Sequence, residues 1–93
     1  MSWTFLTNHA HVLICLSRDP DLRLRDLADA VGITERAVHR IISELSAEGY
    51  VVITKEGRRN HYQVIKHMPM RHPVEAGASV ADLVQFTEIS NGT

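Results

Sequence analysis

The feature that most constrains this chain lies between Leu24 and Ile65, where a helical spacing of apolar residues is interrupted once and then gives way to alternation, with a glycine at each break. Leu27, Ala28 and Val31 recur at helical spacing, Gly32 interrupts them, and Ala37, Val38, Ile41, Ile42 and Leu45 resume the same period over a longer stretch. After Gly49, Tyr50 through Thr54 are residues that favour strands, and Tyr62 and Val64 return with the same alternation. Between them, Lys55-Glu56-Gly57-Arg58-Arg59-Asn60 has the polarity and the glycine of a hairpin connection. A short helix, a tight turn, a longer helix and a hairpin therefore follow one another in order.

The flanks complete an architecture. Trp3, Phe5 and Leu6 form an apolar arm, and Thr7 or Asn8 can cap a helix that runs to about Ser17. That helix carries two stripes, Ala10/Leu13/Ile14 and Val12/Cys15/Leu16, so it calls for burial on both sides. One side meets the core. The other meets either a second chain or the chain's own N-terminal arm or C-terminal segment folded over it.

Asp19-Pro20-Asp21 reads as a turn, and Leu22 and Leu24 around Arg23 predict a short strand. The second helix is expected from Asp26 to Val31, with Asp26 and Asp29 at its positive end and Arg25 standing where a polar cap is usual. Gly32 ends it, Ile33 plugs the turn, Thr34 caps the third helix and Gly49 stops that one. In the hairpin, Val51 and Ile53 are expected to point inward.

Lys66–Ala78, with Pro69, Pro73 and Gly77, reads as an irregular connector. Ser79-Val80-Ala81-Asp82 resembles a capping box that opens a last helix bearing Val80, Leu83, Val84 and Phe86, and Ser90–Thr93 is expected to fray. The fold class is thus α+β and mainly α: a three-helix core, a small antiparallel sheet and a C-terminal helix. Residues 1–66 form the central unit, and 67–93 form the connector and a short helix that serves packing or dimerisation.

Ninety-three residues suit one domain whose own core is marginal. The longest apolar run, Val12–Leu16, is far too short to cross a bilayer, and the N-terminus lacks the basic region and cleavage site of a secretory leader. The single Cys15 excludes an internal disulfide and suits a reducing cytoplasm, where the protein is expected. A formal net charge of −1 gives no global sign of a polyanionic partner. Its distribution does: residues 34–66 hold six basic and four acidic side chains, net +2, whereas the remainder holds four and seven, net −3. Such a patch suits selective binding to DNA, not bulk coating of it.

The third helix explains how. Its apolar stripe anchors it, leaving Arg36, His39, Arg40 and Ser43 on the opposite side, free to enter a major groove that admits one helix. Arginine can pair with the two acceptors of guanine, His39 and Ser43 can reach a base edge or phosphate, and Thr34 can meet a phosphate at the helix N-terminus. On their own, Arg36 and Arg40 beside Glu35 and Glu44 read as ordinary surface pairing. Two adjacent arginines at a hairpin tip, with little packing role there, shift the balance: Arg58, Arg59 and Asn60 would reach the minor groove or the backbone.

In these residues, from Leu24-Arg25-Asp26-Leu27-Ala28 through Val31-Gly32-Ile33-Thr34-Glu35-Arg36 and Glu48-Gly49-Tyr50 to Gly57-Arg58-Arg59-Asn60, the chain resembles winged helix-turn-helix transcriptional regulators of the MarR/ArsR type. The resemblance covers about Asn8 to Ile65. The opening Trp3–His9 and the later Arg71-His72-Pro73 look like a little-characterised subgroup of such regulators. The resemblance places Thr34, Arg36, His39, Arg40 and Ser43 on the recognition helix and Arg58 and Arg59 on the wing. The expected function is sequence-specific binding of double-stranded DNA as a homodimer, with the first helix and the C-terminal helix forming the interface.

Other chemistry has less support. Soft metal sensors use two or more thiolates, and only Cys15 exists; His9 and His11 point to different helix faces, and His67 and His72 lack carboxylate or thiolate support. No metal or other cofactor is expected. No Ser/His/Asp grouping, phosphate loop or carboxylate pair stands at usable spacing, so no catalytic residue is assigned and no enzyme is expected. A small-molecule effector stays open, with no residue that identifies it. The rival reading is a winged-helix module whose basic face docks an acidic protein without binding DNA.

Overall fold

The computed structural model describes residues 3–89. The elements run α1 (Asn8–Arg18), α2 (Leu24–Val31), α3 (Glu35–Ala47), β1 (Val51–Glu56), β2 (Arg59–Val64), a 3₁₀ turn (Pro73–Glu75) and α4 (Val80–Ile89). This is the mainly α architecture expected, with one two-stranded antiparallel sheet. Expected fraying over Ser90–Thr93 lies outside the described residues.

Local chemistry sets most boundaries. Thr7 caps α1 by accepting from the Ala10 amide at 3.2 Å, and Thr34 caps α3 by accepting from Ala37 at 3.0 Å. Gly32 closes α2 at φ 86°, a left-handed conformation that glycine adopts without steric cost. The end of α3 is a double bond pattern, Tyr50 N–H to Leu45 O at 2.9 Å and Gly49 N–H to Ser46 O at 3.1 Å, that occupies two of the last helical carbonyls.

One core joins the helices and the sheet. Val12 and Leu16 of α1, Leu27 of α2, Val38 and Ile41 of α3 and Val51 of β1 are all buried in it. The second stripe of α1 is also covered within the chain: Ala10 and Ile14 pack with Leu83 of α4, and Leu6 of the N-terminal arm adds to the cluster. Of the two alternatives for that stripe, the chain's own arm and C-terminal helix provide the cover. Trp3, Phe5 and Phe86 remain exposed, and Trp3 and Phe5 stack edge to face with ring centroids 4.8 Å apart.

Four local expectations are corrected. No strand forms at Leu22–Leu24; α2 starts at Leu24, two residues earlier than expected, with Arg23 as a cap residue that makes no side-chain cap bond. Two leucines around one residue fit a helix entry as well as a strand. The preceding loop does reach the sheet edge, but its backbone–backbone hydrogen bond there is a single one, the Tyr62 amide to Pro20 O at 2.9 Å. Pro20 has no N–H with which to continue a ladder.

Ile53 is 41% exposed although Tyr62, its partner across the hairpin, is 4% exposed, so at that level the cover lies over β2 and leaves β1 open; Val51, nearer the body, is buried. The connector is more ordered than expected. His72 accepts from the Val74 amide, Glu75 accepts from the His72 amide, and the Tyr50 hydroxyl donates to Pro69 O at 2.5 Å. At α4, Asp82 accepts from the Ser79 amide at 2.8 Å and its hydroxyl at 3.3 Å, so the serine oxygen engages a side chain where the box would use it on the backbone.

Candidate nucleic-acid interface

Helix α3 has two opposed faces. Val38, Ile41, Ile42 and Leu45 are buried, whereas Arg36, His39, Arg40 and Ser43 are exposed. At helical pitch those four exposed residues fall within an arc of about 100°. Burial of the first set fixes the direction of the second. Arg36 has no ion-pair partner among the described residues.

Arg40 lies 3.6 Å from Glu44, one turn on, and Glu44 is also 2.7 Å from Nε2 of His9 on α1. The hydrogen bond from His9, with Arg40 and His9 charge added, holds the Glu44 carboxyl below the usual carboxylate range. Thr34 spends an oxygen lone pair on the cap, and its hydroxyl hydrogen is left to reach outward.

The wing is a tight hairpin. Val51 pairs with Val64, Ile53 with Tyr62 and Glu56 with Arg59, so Gly57 and Arg58 alone form the loop. Gly57 has φ 65° and Arg58 does not share the positive sign, the pattern of a II′ turn that suits strand twist.

Arg58 and Arg59 then differ. Arg58 sits in the turn with no partner among the described residues, whereas Arg59 donates to the Asp21 carbonyl at 2.5 Å. A packing role, unexpected at a hairpin tip, thus falls to Arg59. Asn60 donates to the Tyr62 hydroxyl at 3.3 Å, two residues along the same strand face.

Sequence reasoning did not identify the joint that holds the wing. Asp21, in the α1–α2 loop, meets Arg59 through its carbonyl and lies 2.9 Å from His61 Nδ1 through its carboxylate. The hydrogen bond to Asp21, with the charges of Asp21 and Glu56, raises the His61 pKa against a smaller opposing effect of burial. Asp21, Glu56 and His61 each bring one ligand-type atom within 4.8 Å of the others. Forty residues separate Asp21 from His61, so no local pattern could have paired them.

The residues weighed for metal or catalysis are dispersed. His9 meets Glu44, His11 meets Asn8 and His72 caps the 3₁₀ turn. Cys15 is partly buried, and burial pushes its thiol up, away from the reactive thiolate. A groove of about 590 Å³ lies between α1, the end of α3, the connector and α4, with Glu44 on its wall and Leu13, Tyr50 and Leu83 on its floor. Among the described residues, no helix is long and apolar enough to cross a membrane.

A short helix, a glycine turn, an anchored helix with a polar outer face and a β-hairpin beside it are the winged helix-turn-helix architecture. Residues 7–52 match a family model for winged helix-turn-helix DNA-binding. That span, just under half of the chain, is similar to winged helix-turn-helix DNA-binding domains.

The fold recurs in the adhesin competence repressor of Streptococcus pyogenes, at 18% identity and TM-score 0.62, over 97% of this chain and 63% of that one. A MarR-family transcriptional regulator from Silicibacter pomeroyi matches at 17% identity and TM-score 0.60, over 90% and 53%. The PcaV transcriptional regulator of Streptomyces coelicolor matches at 22% and 0.55, over 63% and 46%. The chain therefore spans less than two thirds of each of these solved chains, and the likeness is one of fold. No curated protein matches it.

Proposed function

We propose that this chain is a sequence-specific transcriptional regulator that binds double-stranded DNA as a homodimer, inserting α3 into the major groove and laying the wing on the minor groove or the backbone. The observation that carries this reading is the outer face of α3, where Arg36, His39, Arg40 and Ser43 stand exposed on one arc behind which the helix is anchored. Arg36 and Arg40 read base edges, His39 and Ser43 reach bases or phosphates, and Thr34 meets a phosphate. Arg58, with no ion-pair partner among the described residues, supplies the cation of the wing, while Arg59 and Asn60 hold its shape and present their remaining donors.

The second copy docks through the outer side of the arm and α4. Exposed Trp3, Phe5 and Phe86 support this, now that the stripes of α1 are covered within the chain. Two copies related by a two-fold axis require a pseudo-palindromic site with half-sites about 10 bp apart or a multiple of that.

Selection of bound sequences from random duplex DNA tests the reading, and an enriched inverted repeat is the expected result. Recovery of no sequence above background at low salt would reject it and leave a protein-docking module.

A further inference from the structure

Three of the six arginines outside α3 come together in one place. Arg23, Arg58 and Arg59 line one cleft of about 360 Å³ between the start of α2 and the wing, floored by Leu22, Leu24 and Tyr62, with Asn60 at its side. No carboxylate lines this cleft, and none of its three arginines has an ion-pair partner among the described residues. The Asp21 carboxylate is engaged by His61. Glu56, which is paired with Arg59 across the hairpin, makes no ion pair with it among the described residues, and only the Asp21 carbonyl meets Arg59. A neutral acceptor thus fixes the position of the Arg59 guanidinium without cancelling its charge. Arg36 also has no ion pair among the described residues, whereas Arg40 and Arg71 each lie beside a glutamate.

Like charges gathered in a cleft repel one another and favour an anion that they can share. A guanidinium presents a planar fork of N–H donors that matches two oxygens of a phosphate. The positive end of α2 adds to the same field. Asn60 keeps a second amide hydrogen after donating to Tyr62.

We propose that the cleft formed by Arg23, Arg58 and Arg59 is a phosphate site that clamps one phosphodiester of the bound duplex, with Arg23 as a DNA-positioning residue. The proposal rests on the DNA-binding reading above and adds to it the first helix of the motif. Such a clamp sets the register of α3 on the duplex and carries no sequence information itself. A free phosphate ester offers the same chemistry, so the test separates the two sources.

Fluorescence anisotropy against random-sequence duplex, repeated over a range of salt, measures the number of phosphates neutralised. Arg23→Gln should weaken binding several-fold for every duplex alike and lower the slope of log K against log salt by about one. Arg71→Gln removes one charge outside the cleft and outside the basic patch, beside Glu48, and should leave the slope unchanged. In parallel, the wild-type protein is titrated with dimethyl phosphate and followed by amide NMR. Saturable shifts are expected at residues 23–25 and 58–60, and absent with sodium chloride at equal ionic strength.

If Arg23→Gln keeps the wild-type slope and the amides do not saturate, the phosphate site is overturned, whatever Arg36→Gln does to DNA affinity. If the wild-type protein binds no duplex yet those amides saturate, the DNA reading fails and the cleft stands as a site for a free phosphate ester.

Discussion

The outer face of α3 and the wing carry the same kinds of residue, but the fold uses them differently. On α3 the anchoring and the presenting residues are separate: Val38, Ile41, Ile42 and Leu45 hold the helix, and Arg36, His39, Arg40 and Ser43 face away. On the wing one short segment does both. Arg59 and His61 tie β2 to the α1–α2 loop, and Arg58, one residue from Arg59, is left at the turn without a partner among the described residues. The difference follows from support. A helix of thirteen residues buries a whole stripe, whereas a two-stranded hairpin that extends past the core has little to bury and depends on polar ties.

That comparison can be broken in four places. The largest effect is expected from Ile41→Ala on the buried face of α3, where loss of a side chain that is 2% exposed should cost about 2–5 kcal/mol of stability by chemical denaturation. Arg40→Ala on the opposite face should leave stability nearly unchanged. It should cost about 1–3 kcal/mol in binding to the selected site and relax the preference at one base position, read by anisotropy on single-base variants.

The wing arginines should then separate. Arg59→Ala is expected to lower stability by about 0.5–1.5 kcal/mol through loss of its bond to Asp21, while Arg58→Ala leaves the melting temperature unchanged and weakens DNA binding evenly across sequences.

The smallest effect concerns pH. Because pairing with Asp21 raises the His61 pKa, its contribution is complete below the ordinary histidine range and is lost as pH rises through the higher folded value. Melting temperature of the wild type should therefore fall slightly over that interval relative to His61→Ala.

How much of this was legible depended on where each residue finds its partner. The caps at Thr7 and Thr34, the close of α2 at Gly32 and the stripe of α3 were readable because their causes lie within a turn of the chain. The turn at Gly57 was readable for the same reason. Leu22–Leu24 misled because two apolar residues at alternating positions fit either period, and the proline that prevents a ladder acts from outside that window.

Ile53 was expected inward from alternation alone, which gives the face but not the extent of the surface it meets. The cover of α1 by Leu83, the bond from Arg59 to Asp21 and the cleft that includes Arg23 all join distant segments. Only the folded chain brings them together.

The central claim is that α3 reads sequence while the wing supplies affinity without it. The ratio of affinities for the selected duplex and a scrambled one, measured by anisotropy for wild type, Arg40→Ala and Arg58→Ala at one salt concentration, tests this most directly. The expected result is a ratio that falls by about tenfold or more for Arg40→Ala and stays at the wild-type value for Arg58→Ala. A ratio that falls for Arg58→Ala and holds for Arg40→Ala would contradict the division of roles between the two regions.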